Sequence, residues 1–434
     1  MRNPIRVALL LLALPFAVPA WASENEAPAA GEVGGPGLAI KCAKALVCPP
    51  DPEAKQHMDR AYVLIKDGKI ERVVPQRGTE LPEGYEVRDV GNRWVMPGLV
   101  GLHSHVGGTF DINDMVYLTN PGLNVSTAVR PGNDALKVAV AGGVTTVLFI
   151  PGSGTNIGGK GVLMKTAHEA YEKALLRDPG SMKLAQWGNP ESWGPRVGMS
   201  FENWNTRNTF RRGVAYAKRW AAFEAGEGPE PERDIQFDIF RSLFNREASI
   251  STHTQVYQVV LMTITMVAGE FDLPVFLDHS TIGGWLAGAL AEEKGVPAIV
   301  GPRSVDTVSR GFMNWAHNHH EGMRGVAAGY QQRGLKNVGF NTDAPVIPQE
   351  TLQLQAAMGV RYGFDDANLE AVRGLTVVPA MAALIEDRVG SLTPGRDADV
   401  LVIHGHPADP RSTVDQVFID GELVYNGDEE QQRW

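Results

Sequence analysis

The sequence predicts a TIM-like (β/α)8 barrel with a small composite β-sandwich domain built from both chain ends. Three observations predict it. From about residue 97 to 384, short apolar runs alternate with helical patterns, the texture of a parallel sheet covered by helices. Eight such runs can be counted, and eight strand–helix units in roughly 280 residues suit a closed barrel. On either side the texture changes to short strands, joined at Asp67-Gly68 and Asp420-Gly421 by residue pairs that favour tight hairpin turns.

Taken in order, residues 1–22 read as a secretory signal peptide. Arg2 and Arg6 precede the apolar run Val7–Val18, and Ala20-Trp21-Ala22 offers a small-residue cleavage site. The run is about half of the ~20 residues a spanning helix needs, so the mature chain is expected to be exported, periplasmic or secreted, and free of the membrane. Residues 23–37 are rich in Glu, Ala, Gly and Pro and read as a flexible leader. Residues 38–96 form the first part of the sandwich. Barrel strands are expected at 98–105, 144–150, 161–165, 182–187, 249–254, 274–279, 297–301 and 337–343. The interval 188–248, with Trp193, Trp204 and Trp220, reads as an elaborated loop and helices after the fourth strand. Residues 385–434 complete the sandwich through Asp399–Ile403, Gln416–Ile419 and Glu422–Tyr425.

The hydrophobic content of 43% is ample for a large core. The formal charge is −10, and loss of Arg2 and Arg6 makes it about −12, which argues against nucleic acid or an anionic membrane as partner. A small-molecule substrate is expected, and assembly into a homo-oligomer is left open. Export favours disulfides, yet the only cysteines are Cys42 and Cys48. Six residues of strand span roughly 20 Å, whereas a disulfide needs Cα atoms within about 7 Å. Two free, buried thiols are expected.

The chemistry concentrates at strand ends. His103-Ser104-His105 closes the first barrel strand, and residues two apart face one side. Both imidazoles therefore point inward at the C-terminal rim, where barrel active sites lie. His253, His279 and Asp343 end three later strands. Read singly, each has an ordinary explanation: a packed or hydrogen-bonded core histidine, or an aspartate capping a helix. Read together, they converge on one rim, and a buried charge without a partner costs several kcal/mol. A metal dication supplies that partner.

Four segments carry a resemblance: Val95–His105 (VMPGLVGLHSH), Ala141–Val147 (AGGVTTV), Asn341–Pro345 (NTDAP) and Arg388–Val400 (RVGSLTPGRDADV). The chain resembles the amidohydrolase superfamily, in its imidazolonepropionase-like and prolidase-like branch. The resemblance implies one or two divalent metal ions, zinc by preference, held by His103 and His105 from strand one, a bridging ligand from strand four, His253, His279, and Asp343. For strand four, Lys183 lies in an apolar run, where an ammonium is costly, and carboxylation would turn it into a bridging anion. Glu191, on the following loop, is the alternative. The sequence departs from the branch at Gly101, Ser251, Val256, Gln258, Val259 and Ile282, where polar or acidic groups are usual. Substrate contacts therefore do not carry over.

Three other motifs are expected to stand outside the site. Gly154–Gly161 nearly fits a phosphate-binding loop, but Gly161 replaces the required Ser or Thr. His404-Gly405-His406 falls in the sandwich, and His317, His319 and His320 fall between strands seven and eight. The predicted reaction is hydrolysis of an amide, cyclic amide or related C–N or C–O bond of a small molecule (a dipeptide among them). Water activated by metal attacks, and Asp343 serves as general base and then acid. A ring deaminase uses the same attack. A catalytically inactive exported binding protein on this scaffold is the contrasting reading, and metal content separates the two.

Overall fold

The computed structural model describes residues 36–187, 189–190, 196–306 and 324–430. The signal-peptide segment, nearly all of the 23–37 leader, Glu191, Trp193, His317, His319 and His320 lie outside them. From residue 36 the chain begins with β1 (Gly37–Leu46), which pairs antiparallel with β2 (His57–Lys66). β3 (Lys69–Pro75) returns from β2 through Asp67 at φ +51° and Gly68 at φ +72°. Two left-handed residues in the turn match the right-handed twist of the strands they join. β4 (Tyr85–Asp89) and β5 (Trp94–Pro97) both run parallel to β1, one against each half of it.

β5 leads within two residues into the barrel: β6 (Leu99–Ser104), β7 (Val144–Phe149), β8 (Ile157–Lys165), β9 (Leu175–Trp187), β10 (Ser249–Val256), β11 (Val275–Ile282) and β12 (Ala298–Val300). A short hairpin follows, β13 (Val305–Asp306) with β14 (Arg324–Gly325), and then the last barrel strand, β15 (Val338–Phe340). Neighbours run in sequence order from β6 to β12, then β15. The ring closes where Ser104 bridges Ala344 and the His105 amide donates to the Ala344 carbonyl at 2.9 Å.

All eight expected strands are present, but they are not all parallel. β8 runs antiparallel to both β7 and β9. The reason lies in the connections. Seven residues separate Phe149 from Ile157 and nine separate Lys165 from Leu175, whereas a parallel return needs a crossover of about a dozen or more. The consequence is that the start of β8 lies at the C-terminal rim of its parallel neighbours. Gly159, at φ +111°, pairs with Lys183, and a Cβ there would stand 2.7 Å from the Leu123 carbonyl. The Gly154–Gly161 stretch thus runs into a strand rather than a helix, so it offers no helix N-terminus to a phosphate.

The interval after β9 holds helices Met199–Glu224 and Ile239–Phe244, packed through Phe210 and Phe240 with ring centroids 5.3 Å apart. The chain then closes with β16 (Val400–His404), β17 (Thr413–Ile419) and β18 (Glu422–Asn426). β16 pairs with β5, so both chain ends share one sheet. The predicted sandwich is a single branched sheet, split at β1 and curled around Ile40, Val63, Val95, Val400 and Phe418. Asp420 (φ +51°) and Gly421 (φ +80°) form its second hairpin. Cys42 and Cys48 are free and buried, and burial pushes both thiols up to about 12. Among the described residues no helix is long and apolar enough to cross a membrane.

Candidate metal centre

The C-terminal ends of β6, β10 and β11, the middle of β9 and the segment after β15 meet at one rim. They bring together all six side chains expected there: His103, His105, Lys183, His253, His279 and Asp343. The His103 ring centroid lies 4.5 Å from that of His279, 5.1 Å from His105 and 6.3 Å from His253, and His253 and His279 are 4.4 Å apart. Single ligand atoms of His103, His253 and His279 fall within 4.8 Å of one another, as do those of His103, His105 and Asp343.

The hydrogen bonds orient the rings. His103 Nδ1 lies 2.6 Å from Asp278 Oδ2. His105 Nδ1 donates to the Ile150 carbonyl at 3.0 Å, and His279 Nδ1 donates to the Gly301 carbonyl at 2.9 Å. A carbonyl can only accept, so these contacts set the tautomer and leave Nε2 facing the common centre. An outer partner on Nδ1 with Nε2 turned inward is how metal-binding histidines are held. The Nε2 of His279 and both ring nitrogens of His253 are buried and have no hydrogen-bond partner among the described residues.

Asp343 faces the same point. Its Oδ1 is 3.1 Å from His103 Nε2 and 3.6 Å from His105 Nε2, and its Oδ2 is 4.0 Å from His279 Nε2. Burial alone would raise its carboxyl, but the His103 charge and the hydrogen bonds from His103 and His105 hold it well below the usual carboxylate range. Burial works against protonation of His103 too, yet Asp278 and Asp343 on its two sides raise it. Burial lowers His105, lowers His253 strongly, and lowers His279 to about 4. The centre therefore pairs two carboxylates with imidazoles that are mostly neutral, the protonation state metal ligands need.

Lys183 is fully buried, with Nζ 3.3 Å from His103 Nε2. Burial pushes its amine down to about 8, against the pull of Asp278 and Asp343. The backbone at the rim is also unusual. His279, Ser280 and Asp343 have φ of +61°, +48° and +50°, a left-handed conformation that costs non-glycine residues of order 1 kcal/mol or more. At His279 it breaks the strand alternation, so that Asp278 and His279, adjacent in sequence, both face the centre.

Asp278 and Asn341 belong to the candidate centre and were missed by sequence reasoning. Asn341 Nδ2 donates to Asp278 Oδ1 and to the Ile299 carbonyl, both at 2.6 Å, and so fixes the carboxylate that orients His103. A signal existed: Asp278 is a charge directly following the apolar run Val275–Leu277 inside a buried strand, where burial demands a partner. The departures from the branch pattern are also placed. Ser251 bonds Ser181 at 3.0 Å, and Gly101 makes room for the Gln349 amide, which a Cβ would meet at 2.6 Å. Val256, Val259 and Ile282 pack with Trp187. His404 and His406 lie outside the centre, His404 exposed and His406 3.5 Å from Asp366 Oδ2. Among the described residues they join no metal-binding group.

The chain is thus an eight-stranded barrel with convergent imidazoles at its C-terminal rim, extended by a sheet from both chain ends. Comparisons with known proteins agree. The amidohydrolase family matches residues 285–424. An amidohydrolase of Thermotoga maritima shares the structure with a TM-score of 0.75 at 27% identity, over 90% of this chain and all of that one. A fungal protein described as amidohydrolase tasK, from Hapsidospora irregularis, is 25% identical over 399 residues, 84% of this chain. A dihydroorotase of Anaeromyxobacter dehalogenans is 37% identical over 89 residues, 20% of this chain. The chain spans 40% of the fungal relative's length and 17% of the dihydroorotase's. A Xaa-Pro dipeptidase structure, at 17% identity and a TM-score of 0.51 over 90% of this chain and all of that one, shares the fold. Over most of its length the chain is similar to proteins described as amidohydrolases.

Proposed function

We propose that the protein is a metal-dependent hydrolase that cleaves an amide, cyclic amide or related C–N or C–O bond of a small molecule. One observation carries the reading. The imidazoles of His103, His105 and His279 engage Nδ1 on protein acceptors and turn Nε2 to one point, while buried His253 has neither nitrogen engaged. Each unsatisfied buried polar group costs about 1–3 kcal/mol. His103, His105, His253, His279, Asp343 and Lys183 would hold one or two divalent ions, and a set of imidazole nitrogens with carboxylate oxygens suits zinc. When bound, such an ion lowers the pKa of a water and polarises a carbonyl.

The chain's own groups supply the rest. Asp343 is ionised across the neutral range, so one Oδ can take a proton from water and pass it to the leaving nitrogen or oxygen. Asp278 and Asn341 hold the His103 ring in place. With its amine pushed down to about 8, a minor fraction of Lys183 is neutral at pH 7, and its lone pair can form an N–C bond to dissolved CO2 while an N–H proton leaves to solvent. The resulting carbamate offers two anionic oxygens, where the ammonium would repel two dications.

Protein stripped with chelator and reloaded with zinc is expected to hold two ions per chain by plasma emission. Lys183→Ala should fall toward one, with formate partly restoring activity. Wild-type protein that takes up no metal would instead mark an inactive binding scaffold. Two ions and full activity in Lys183→Ala would remove Lys183 from the centre and make Glu191 the next residue to test.

A further inference from the structure

We propose that the site receives an uncharged, apolar group of its substrate against the ends of β9, β10 and β11, and selects against a carboxylate there. The inference rests on the hydrolase reading above and narrows its substrate class. The strand register places the wall. Thr254 pairs with both Trp187 and His279, and Val256 pairs with Ile282. Trp187, Val256 and Ile282 therefore lie just beyond His253 and His279 toward the rim. With Val259 these three form a separate apolar cluster, each 2–6% exposed.

The chemistry of the wall is uniform. Residues 184–190, 254–269 and 280–291, which include the tops of three adjacent barrel strands, contain no Asp, Glu, Lys, Arg or His. A carboxylate moved from water to such a surface loses its hydration and gains no cation. The approach has the same character. The segment after β6 exposes Phe110, Val116 and Tyr117 by 67–69%, together with Asp111 and Asp114. It packs on the loop after β7 through Asn113 Oδ1, which accepts from the Gly154 amide at 3.0 Å. An apolar substituent gains contact along this path, where Asp111 and Asp114 disfavour an anion.

Two hydroxamates of equal length, one ending in a methyl group and the other in a carboxylate, test this on the zinc-loaded full chain by titration calorimetry. Both grip metal by the same head, so the difference reports the tail and requires no turnover. The methyl-ended ligand is expected to bind at least about tenfold tighter, a factor that one well-buried hydrocarbon group supplies. Ile282→Lys should erase or invert that preference. Equal or tighter binding of the carboxylate-ended ligand to the wild-type chain would overturn the proposal whatever the variant does. So would failure of both ligands to bind a chain that holds its metal. A chain that holds no metal would instead overturn the hydrolase reading on which the proposal rests.

Discussion

The barrel buries charge at both ends, and the two clusters are built on opposite principles. At the base, Lys165 Nζ lies 2.6 Å from Asp399 Oδ2, 3.1 Å from Asp397 Oδ2 and 3.3 Å from Asp420 Oδ1. Arg388 and Lys69 also engage Asp397, and His168 engages Asp420 at 2.9 Å. Every carboxylate there has a cation within the fold. At the rim, Asp278 and Asp343 share the His103 ring, while His253 and His279 keep nitrogens with no hydrogen-bond partner among the described residues. The base is complete as folded. The rim leaves buried ring nitrogens open, which is what the proposed metal-dependent hydrolase requires and the base does not offer.

The sharpest way to break the comparison is to delete one group from each cluster and a third from neither. His279→Ala is expected to lose metal and to lower kcat/KM by more than the ten- to hundred-fold typical of losing an outer-shell partner. The metal-free variant should fold normally, and His404→Ala should keep both metal and activity. Plasma emission and steady-state kinetics decide it, and a His279→Ala protein with normal metal content would dissolve the distinction. Lys165→Met is expected to do the reverse. It leaves Asp399 without its cation while Asp397 and Asp420 keep other partners, and removing one partner of a buried ion pair costs about 3–5 kcal/mol. Urea unfolding should register that loss while the metal content of the folded fraction stays normal. A cost below about 1 kcal/mol would show that the base cluster does not need its cation.

The smallest expected effect is on acid stability. Burial would raise Asp397, but hydrogen bonds from Arg388 and the Lys165 charge prevail and hold it down to about 2. Its folded pKa lies below the unfolded value of 3.8, so its contribution is present above about pH 4 and is lost as pH falls toward 2. The shift corresponds to roughly 2 kcal/mol. Asp399 works the other way. Burial outweighs Lys165 and raises it, so it protonates before Asp397 on acidification and offsets part of the loss. Urea midpoints at pH 7, 4 and 2.5 should therefore fall less steeply for Asp397→Asn than for the wild type. Parallel profiles would show that Asp397 is not the titrating support.

Much of this was legible before folding. The two Asp-Gly hairpins, the eight apolar runs and five of the six ligand candidates follow from local chemistry, while Lys183 was reached through the family resemblance. Tight turns need left-handed residues, buried strands need apolar side chains, and residues two apart in a strand share a face. The identity of the strand-end polar residues was therefore readable one strand at a time. The direction of β8 was recorded in the short connections on either side of it. Asp278 was recorded as a charge directly following an apolar run, and only its partner was hidden.

Tertiary structure alone decided the partners. Nothing local says that His103 Nδ1 meets Asp278, 175 residues away, or that Asn341 steadies that carboxylate. Closure of the barrel brings β6 beside the segment after β15, and that closure turns separate strand ends into one centre. The same holds at the base, where Lys165 meets Asp399 across 234 residues because the chain ends share a sheet. Sequence determines which groups each strand can offer, through periodicity and burial. The fold determines which of them come within a few ångströms, because Coulomb and hydrogen-bond energies depend on distance in space and not on distance along the chain.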